Sequence, residues 1–208
     1  MKKALLPHYY KGHKFFFITF RLADSLPQSV IIELKEELQA KINNITENDE
    51  IKKREIIDEL KLNYFKKFDH QLDSNPYGEC VLKNRKIAQI LYDKILSYHL
   101  EFYNLKCLCI MPNHVHLLLS SILNEEEPQL DKWLKLIKGG SAFLINKALN
   151  RTGKLWAIES FDRYIRNEEH YFNSFYYTIN NPEAVGLRST FSQKPFIFRC
   201  DIDVENDL

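Results

Sequence analysis

The 208-residue chain has no apolar run approaching the roughly 20 residues that a bilayer-crossing helix needs, so no membrane span is expected. Its amino end, Met1 to His8, lacks the apolar stretch of a secretory signal, and a cytoplasmic location is expected. Only four cysteines occur (Cys80, Cys107, Cys109 and Cys200), and none has CxxC spacing. They read as reduced thiols, and a structural zinc site is not expected. A charge excess is missing too. The formal net charge is +1, which excludes a strongly basic nucleic-acid coat protein. Internal repeats and low-complexity tracts are absent. With 45% hydrophobic and 27% charged residues, wholesale disorder is excluded and a folded core is expected.

What is present begins with Lys14 to Leu22 (KFFFITFRL), a β-rich run stopped by Asp24, Ser25 and Pro27. Ser29 opens a helical pattern with Val30, Ile31, Leu34, Leu38 and Ile42 on one stripe. Charged residues crowd 44–76, where Ile51, Ile56, Leu60 and Tyr64 are the sparse apolar positions. This segment reads as an exposed, salt-bridged helical insertion. Asn84 can cap a helix carrying Ile87, Leu91 and Ile95. Two apolar runs, near 105–111 and 114–120, flank Pro112-Asn113 and predict a β-hairpin. A helix follows over 130–149, interrupted by Gly139-Gly140, where close backbone approach is expected. A strand is expected near 155–165, then a helix from Asn167 that should stop near Asn181, before Pro182. The order suggests an α+β domain with a mostly antiparallel sheet over residues 1–190, followed by a tail over 191–208 whose end is acidic.

Two features could carry chemistry. His114 and His116 lie at i and i+2 of a strand, so both imidazoles point to one sheet face and could converge on one metal ion. Equally, such a pair can be a chance match with a histidine held in core hydrogen bonds. On the last helix, Phe172, Phe175, Tyr176 and Ile179 form the expected core stripe, with Tyr176 buried. His170, Asn173, Ser174, Tyr177 and Asn181 fall on the other side, with Tyr177 and Asn181 one turn apart. A tyrosine hydroxyl beside an amide that could complete a metal site is one way to build a nucleophile. A tyrosine half-covering a groove is the plainer reading.

NHVHLLL resembles the HUH motif (histidine, bulky apolar residue, histidine) of single-tyrosine HUH transposases. LWAIESFDRYIRNEEHYFNSFYYTINNPEAVGL resembles the C-terminal signature of the REP-associated tyrosine transposases, in which a tyrosine precedes an Asn-Pro pair and a glycine. Here these are Tyr177, Asn181-Pro182 and Gly186. HYYKGHKFFFITFRL is similar to the family's first strand. The resemblance spans roughly residues 8–24 and 78–188. The charged segment 44–76 is longer than in many relatives.

The resemblance implies a ferredoxin-like or RRM-like antiparallel sheet with helices mainly on one face. It implies a nuclease-ligase for single-stranded or hairpin DNA, with Tyr177 as the nucleophile forming a 5′-phosphotyrosine link. His114, His116 and Asn181 would hold Mg²⁺ or Mn²⁺. Relatives include monomers and homodimers that exchange the tyrosine helix. A domesticated protein that binds structured DNA without transposing, or a binding module without chemistry, are the competing readings. Residues 132–199 hold eleven Lys/Arg against five Asp/Glu. Among them Lys135, Lys138, Lys147, Arg151, Lys154, Arg163 and Arg166, with Lys11 near the amino end, are candidate DNA contacts.

Overall fold

The computed structural model describes residues 14–74, 77–122 and 129–200. The chain divides into two compact units, one made of Met1–Ala23 with Val81–Leu208, the other of Asp24–Cys80. No helix among the described residues is long and apolar enough to cross a membrane.

The first unit is built on five strands: β1 (Phe15–Leu22), β2 (Asn104–Ile110), β3 (His114–Ser120), β4 (Trp156–Tyr164) and β5 (Ile197–Arg199). They form one antiparallel sheet in the order β4-β1-β3-β2-β5. The first four strands have the arrangement of a ferredoxin-like fold, and the architecture is α+β. Central β3 is buried along all seven residues.

Period-2 alternation gives the sheet two different faces. Ile18, Phe20 and Leu22 of β1, with Val115, Leu117 and Leu119 of β3, join the main core. Two helices cover that face: α3 (Arg85–Leu96), through Ile87, Leu91 and Ile95, and α4 (Leu130–Ala148), through Trp133, Ile137 and Ile145. Phe20 is 1% exposed and its ring meets Trp156 edge-on at 4.8 Å. Truncating such a ring to alanine costs about 3–5 kcal/mol. Asn84 caps α3 by accepting the Lys86 N–H at 2.9 Å. On α4, no backbone comes close to Gly140, and a Cβ there would meet only the far end of the Lys94 side chain of α3. Neighbouring Gly139 faces open space.

Helix α5 (Glu168–Ala184) lies on the opposite face, against β2 and β3. Asn167 caps it by accepting the His170 N–H at 2.8 Å. The helix runs through Pro182 rather than stopping at Asn181. One turn further it closes in a Schellman arrangement. Leu187 N–H donates to Pro182 O at 2.7 Å and Gly186 N–H to Glu183 O at 3.1 Å, with Gly186 at φ 78°.

The sequence reading ended the domain at residue 190, but residues 191–200 are part of the fold. Phe191 of α6 (Arg188–Phe191) and Phe196 are buried in the main core, and β5 pairs with β2. The acidic end, 201–208, lies outside the described residues.

The second unit is a helical hairpin of α1 (Gln28–Asn43) and α2 (Glu50–Ser74). It is broader than the charged segment 44–76. Leu26, Ile31 and Leu72 form its small core, with Phe68 packed against it. Ile51 is 72% exposed, so the expected stripe through Ile51 and Ile56 is not the packing face. Lys41 and Lys67 both donate to Glu37, at 2.7 and 2.5 Å, and hold its carboxyl down to about 2. Asp69 is raised well above the usual carboxylate range by burial and then by Asp73 one turn away. Gly78 (φ 82°) closes the unit where any side chain would strike the Asp24 backbone, and Glu79 N–H donates to Asp24 Oδ2 at 2.8 Å.

Candidate metal and nucleophile site

The face of the sheet turned away from α3 and α4 carries the polar residues. Cross-strand register sets Thr19 opposite His116 and Arg21 opposite His114. Both imidazoles are fully buried, and their Nε2 atoms are 3.0 Å apart. Each Nδ1 has its own partner. His114 Nδ1 lies 2.7 Å from Asn113 Oδ1, and His116 Nδ1 lies 2.8 Å from Thr19 Oγ1. Asn113, buried in the two-residue hairpin turn, thus does more than close the turn.

These partners constrain the protons. Asn113 Oδ1 accepts, so His114 carries its hydrogen on Nδ1 and its Nε2 is a bare lone pair. If His116 donates likewise to Thr19, two lone pairs face each other across 3.0 Å, an arrangement that a cation between them would relieve. If the Thr19 hydroxyl donates instead, His116 Nε2–H donates to His114. Both rings are neutral at physiological pH. Burial pushes His114 down to about 3, and burial followed by His114 holds His116 well below its ordinary value.

The last helix brings the tyrosine. The Tyr177 ring packs edge-on against His116 at 5.4 Å and against Phe17 at 5.9 Å, while Phe17 stacks on His116 at 5.8 Å. Tyr177 is 39% exposed, so it bridges solvent and the histidines within one chain. One turn on, Asn181 is buried, and its Oδ1 has no hydrogen-bond partner among the described residues. A buried amide oxygen left empty costs about 1–3 kcal/mol, so it calls for a ligand.

Helix α5 is rotated from its expected facing. Tyr171, Ser174, Phe175, Thr178, Asn181 and Pro182 are its buried residues, whereas Tyr176 is 53% exposed. The reason lies in the surface beneath, which presents buried Cys107 and Cys109 as well as the imidazoles. Small Ser174 and Thr178 permit close approach, and Thr178 satisfies its hydroxyl on Ser174 O at 2.8 Å. Burial keeps the Cys107 thiol protonated.

The candidate DNA contacts separate into groups. Lys135 and Lys147 are exposed on α4, on the far side of the sheet from the histidines, and Arg151 follows that helix, its Nε on Asn146 Oδ1 at 3.1 Å. Half-buried Lys138 reaches the sheet edge and donates to Ile158 O at 2.9 Å. Burial, then Arg21 and Lys154, bring it down to about 8. Lys154 is exposed in the α4–β4 connection. Arg163 and Arg166 lie at the end of β4 beside α5. Lys11 lies outside the described residues. Sequence reasoning missed Thr19, Arg21 and Asn113. The alternation of β1 was a usable signal for the first two, but only the register with β3 gives it meaning.

The donors suit a divalent ion. Imidazole nitrogens favour Mn²⁺ over Mg²⁺, while the amide oxygen suits either. The Nδ1 partners are bonds of the kind that orient histidines where they do ligate a metal.

No family model and no curated protein matches the chain. Among solved structures, one similar chain is described as a REP-associated tyrosine transposase bound to a REP hairpin. It is 12% identical, with a TM-score of 0.49, covering 93% of this chain and 81% of that one. A putative transposase from Deinococcus radiodurans R1 is 17% identical, with a TM-score of 0.35, covering 87% and 97%.

Proposed function

We propose that the protein is a transposase-like enzyme that cleaves and rejoins single-stranded DNA through a 5′-phosphotyrosine intermediate. One observation carries the reading: the partly exposed Tyr177 ring rests on His116, whose Nε2 is 3.0 Å from that of His114. The joint HUH and Tyr-Asn-Pro resemblance supports it. The face also meets the general needs of phosphoryl transfer, a positioned nucleophile and a fixed electrostatic clamp.

His114 Nε2, His116 Nε2 and Asn181 Oδ1 would hold Mg²⁺ or Mn²⁺. When bound, the ion supplies Lewis-acid polarisation of a phosphoryl oxygen. Asn113 and Thr19 fix the imidazole planes. Phe17 and His116 wall the Tyr177 ring and would fix the direction of its hydroxyl. In the step itself, the Tyr177 oxygen gives up its proton and bonds to phosphorus. The bond from phosphorus to the 3′ oxygen breaks, and that oxygen leaves with the electron pair and takes up a proton. One ester replaces another, so the reverse reaction rejoins the strand at the same site.

The test is incubation of the full chain with a labelled single-stranded oligonucleotide carrying a hairpin, in Mn²⁺. Wild-type protein should form a covalent adduct stable to denaturant, and Tyr177→Phe should form none while retaining Mn²⁺. Adduct from the phenylalanine variant would rule out this nucleophile. DNA binding without any adduct would leave a structured-DNA binder.

A further inference from the structure

Three cationic or imidazole groups collect where β4 meets α5, beyond the nucleophile. Arg163 pairs directly across from Phe17, so it shares the site-bearing face of the sheet. Phe17 is the residue that touches both Tyr177 and His116. His170 lies seven residues before Tyr177 on α5. That is two turns along the same flank, about 10.5 Å at 1.5 Å per residue. The backbone N–H of Arg166 donates to His170 Nδ1 at 3.4 Å. A neutral imidazole accepting at Nδ1 carries its hydrogen on Nε2, so it presents a donor. Arg163 is half-buried and Arg166 exposed, so solvent, and hence a strand, can reach them. Asp162, next to Arg163, pairs with Ile18 and so belongs to the other face.

We infer that Arg163, Arg166 and His170 form a phosphate subsite that grips the DNA backbone a short distance from the phosphate Tyr177 attacks. This deepens the proposed function and rests on it for the identity of the strand. Two planar guanidiniums and one ring N–H offer only donors. Glu168 and Glu169 open α5 beside them, and the forked guanidinium donors match phosphate oxygens. Burial, then Arg163 and Arg166, push His170 down to about 4. A phosphate seated there would offset both guanidiniums and make its protonation easier.

Binding in EDTA separates this subsite from the chemistry. A fluorescent single-stranded oligonucleotide is titrated with the full chain over a KCl series, and anisotropy is read. R163M/R166M should weaken binding and reduce the slope of log K against log salt by about 0.7, the value for one single-strand phosphate. The double variant K83M/K86M removes the same charge at the start of α3, on the opposite face of the sheet, and should leave the slope unchanged. By NMR, the His170 midpoint should rise when the oligonucleotide saturates the protein, and should not rise in R163M/R166M. Equal slopes in wild type and R163M/R166M, equal losses in both double variants, or an unmoved His170 midpoint would overturn the subsite. Wild-type protein that binds in this manner but forms no adduct with Mn²⁺ would instead sink the enzyme reading alone.

Discussion

Replacing Thr19 with valine tests the proton arrangement at the histidine pair. The change keeps the side-chain shape and removes the hydroxyl that lies 2.8 Å from His116 Nδ1. A ligating His116 must carry its hydrogen on Nδ1, and in the variant that buried N–H loses its acceptor. Two effects follow. Orphaning a buried ring nitrogen lowers fold stability by about 1–3 kcal/mol. Loss of the outer-shell bond lowers metal affinity by roughly 10–100-fold, which is about 1.4–2.7 kcal/mol. Mn²⁺ binding is read from the loss of the free-ion electron paramagnetic resonance signal, at a temperature where urea unfolding shows the variant fully folded. His116→Ala sets the reference for a broken site. If Thr19→Val binds Mn²⁺ as tightly as wild type while losing stability, the hydroxyl is only a packing partner and the ligand role of His116 Nε2 loses its support.

Two further outcomes follow from other parts of the first unit. Gly139→Ala should raise stability by about 0.5–1 kcal/mol, since it has open space in a helix interior. Gly140→Ala should gain less, because its methyl displaces Lys94, whose ammonium sits 4.3 Å from the Tyr98 ring centre. Thermal unfolding of the two variants compares them, and equal gains would refute the helix contact. Lys138 gives a pH signature. Its folded value is about 8 against an ordinary 10.5, so between those limits the unfolded chain binds the proton and the folded chain does not. Stability relative to Lys138→Met should therefore climb from pH 8 to 10.5. A difference in urea midpoint that stays flat over that window would show that burial beside Arg21 does not disfavour the charged amine.

Much of the scaffold was legible because its signals are local. FFFITFRL alternates onto a core, Asn84 caps its helix, and Pro112-Asn113 sits between two apolar runs, as the structure has them. The facing of α5 was not legible. Its large apolar residues suggested that Phe172 and Tyr176 turn inward, but the sheet face beneath holds imidazoles and thiols and takes Ser174, Thr178 and Asn181. A helix packed on a polar face inverts the usual hydrophobic rule, and nothing within α5 alone reveals that. Residues 191–200 were unreadable for a different reason. Three residues make β5, too few for a periodic pattern, and its place is fixed by pairing with β2 some ninety residues earlier. His114, His116, Tyr177 and Asn181 were singled out by spacing and resemblance, and the structure sets the two imidazoles side by side with the Tyr177 ring against one of them. Thr19, Asn113 and Arg21 needed the third dimension.

Tyr177 leans on the histidine of its own polypeptide. The proposed reaction would then draw its phenol and its imidazoles from one copy. Phenol and imidazoles travel together in each folded copy, so dilution does not separate them. Two crippled proteins, one without the phenol and one without the imidazoles, would have nothing to lend each other in a mixture.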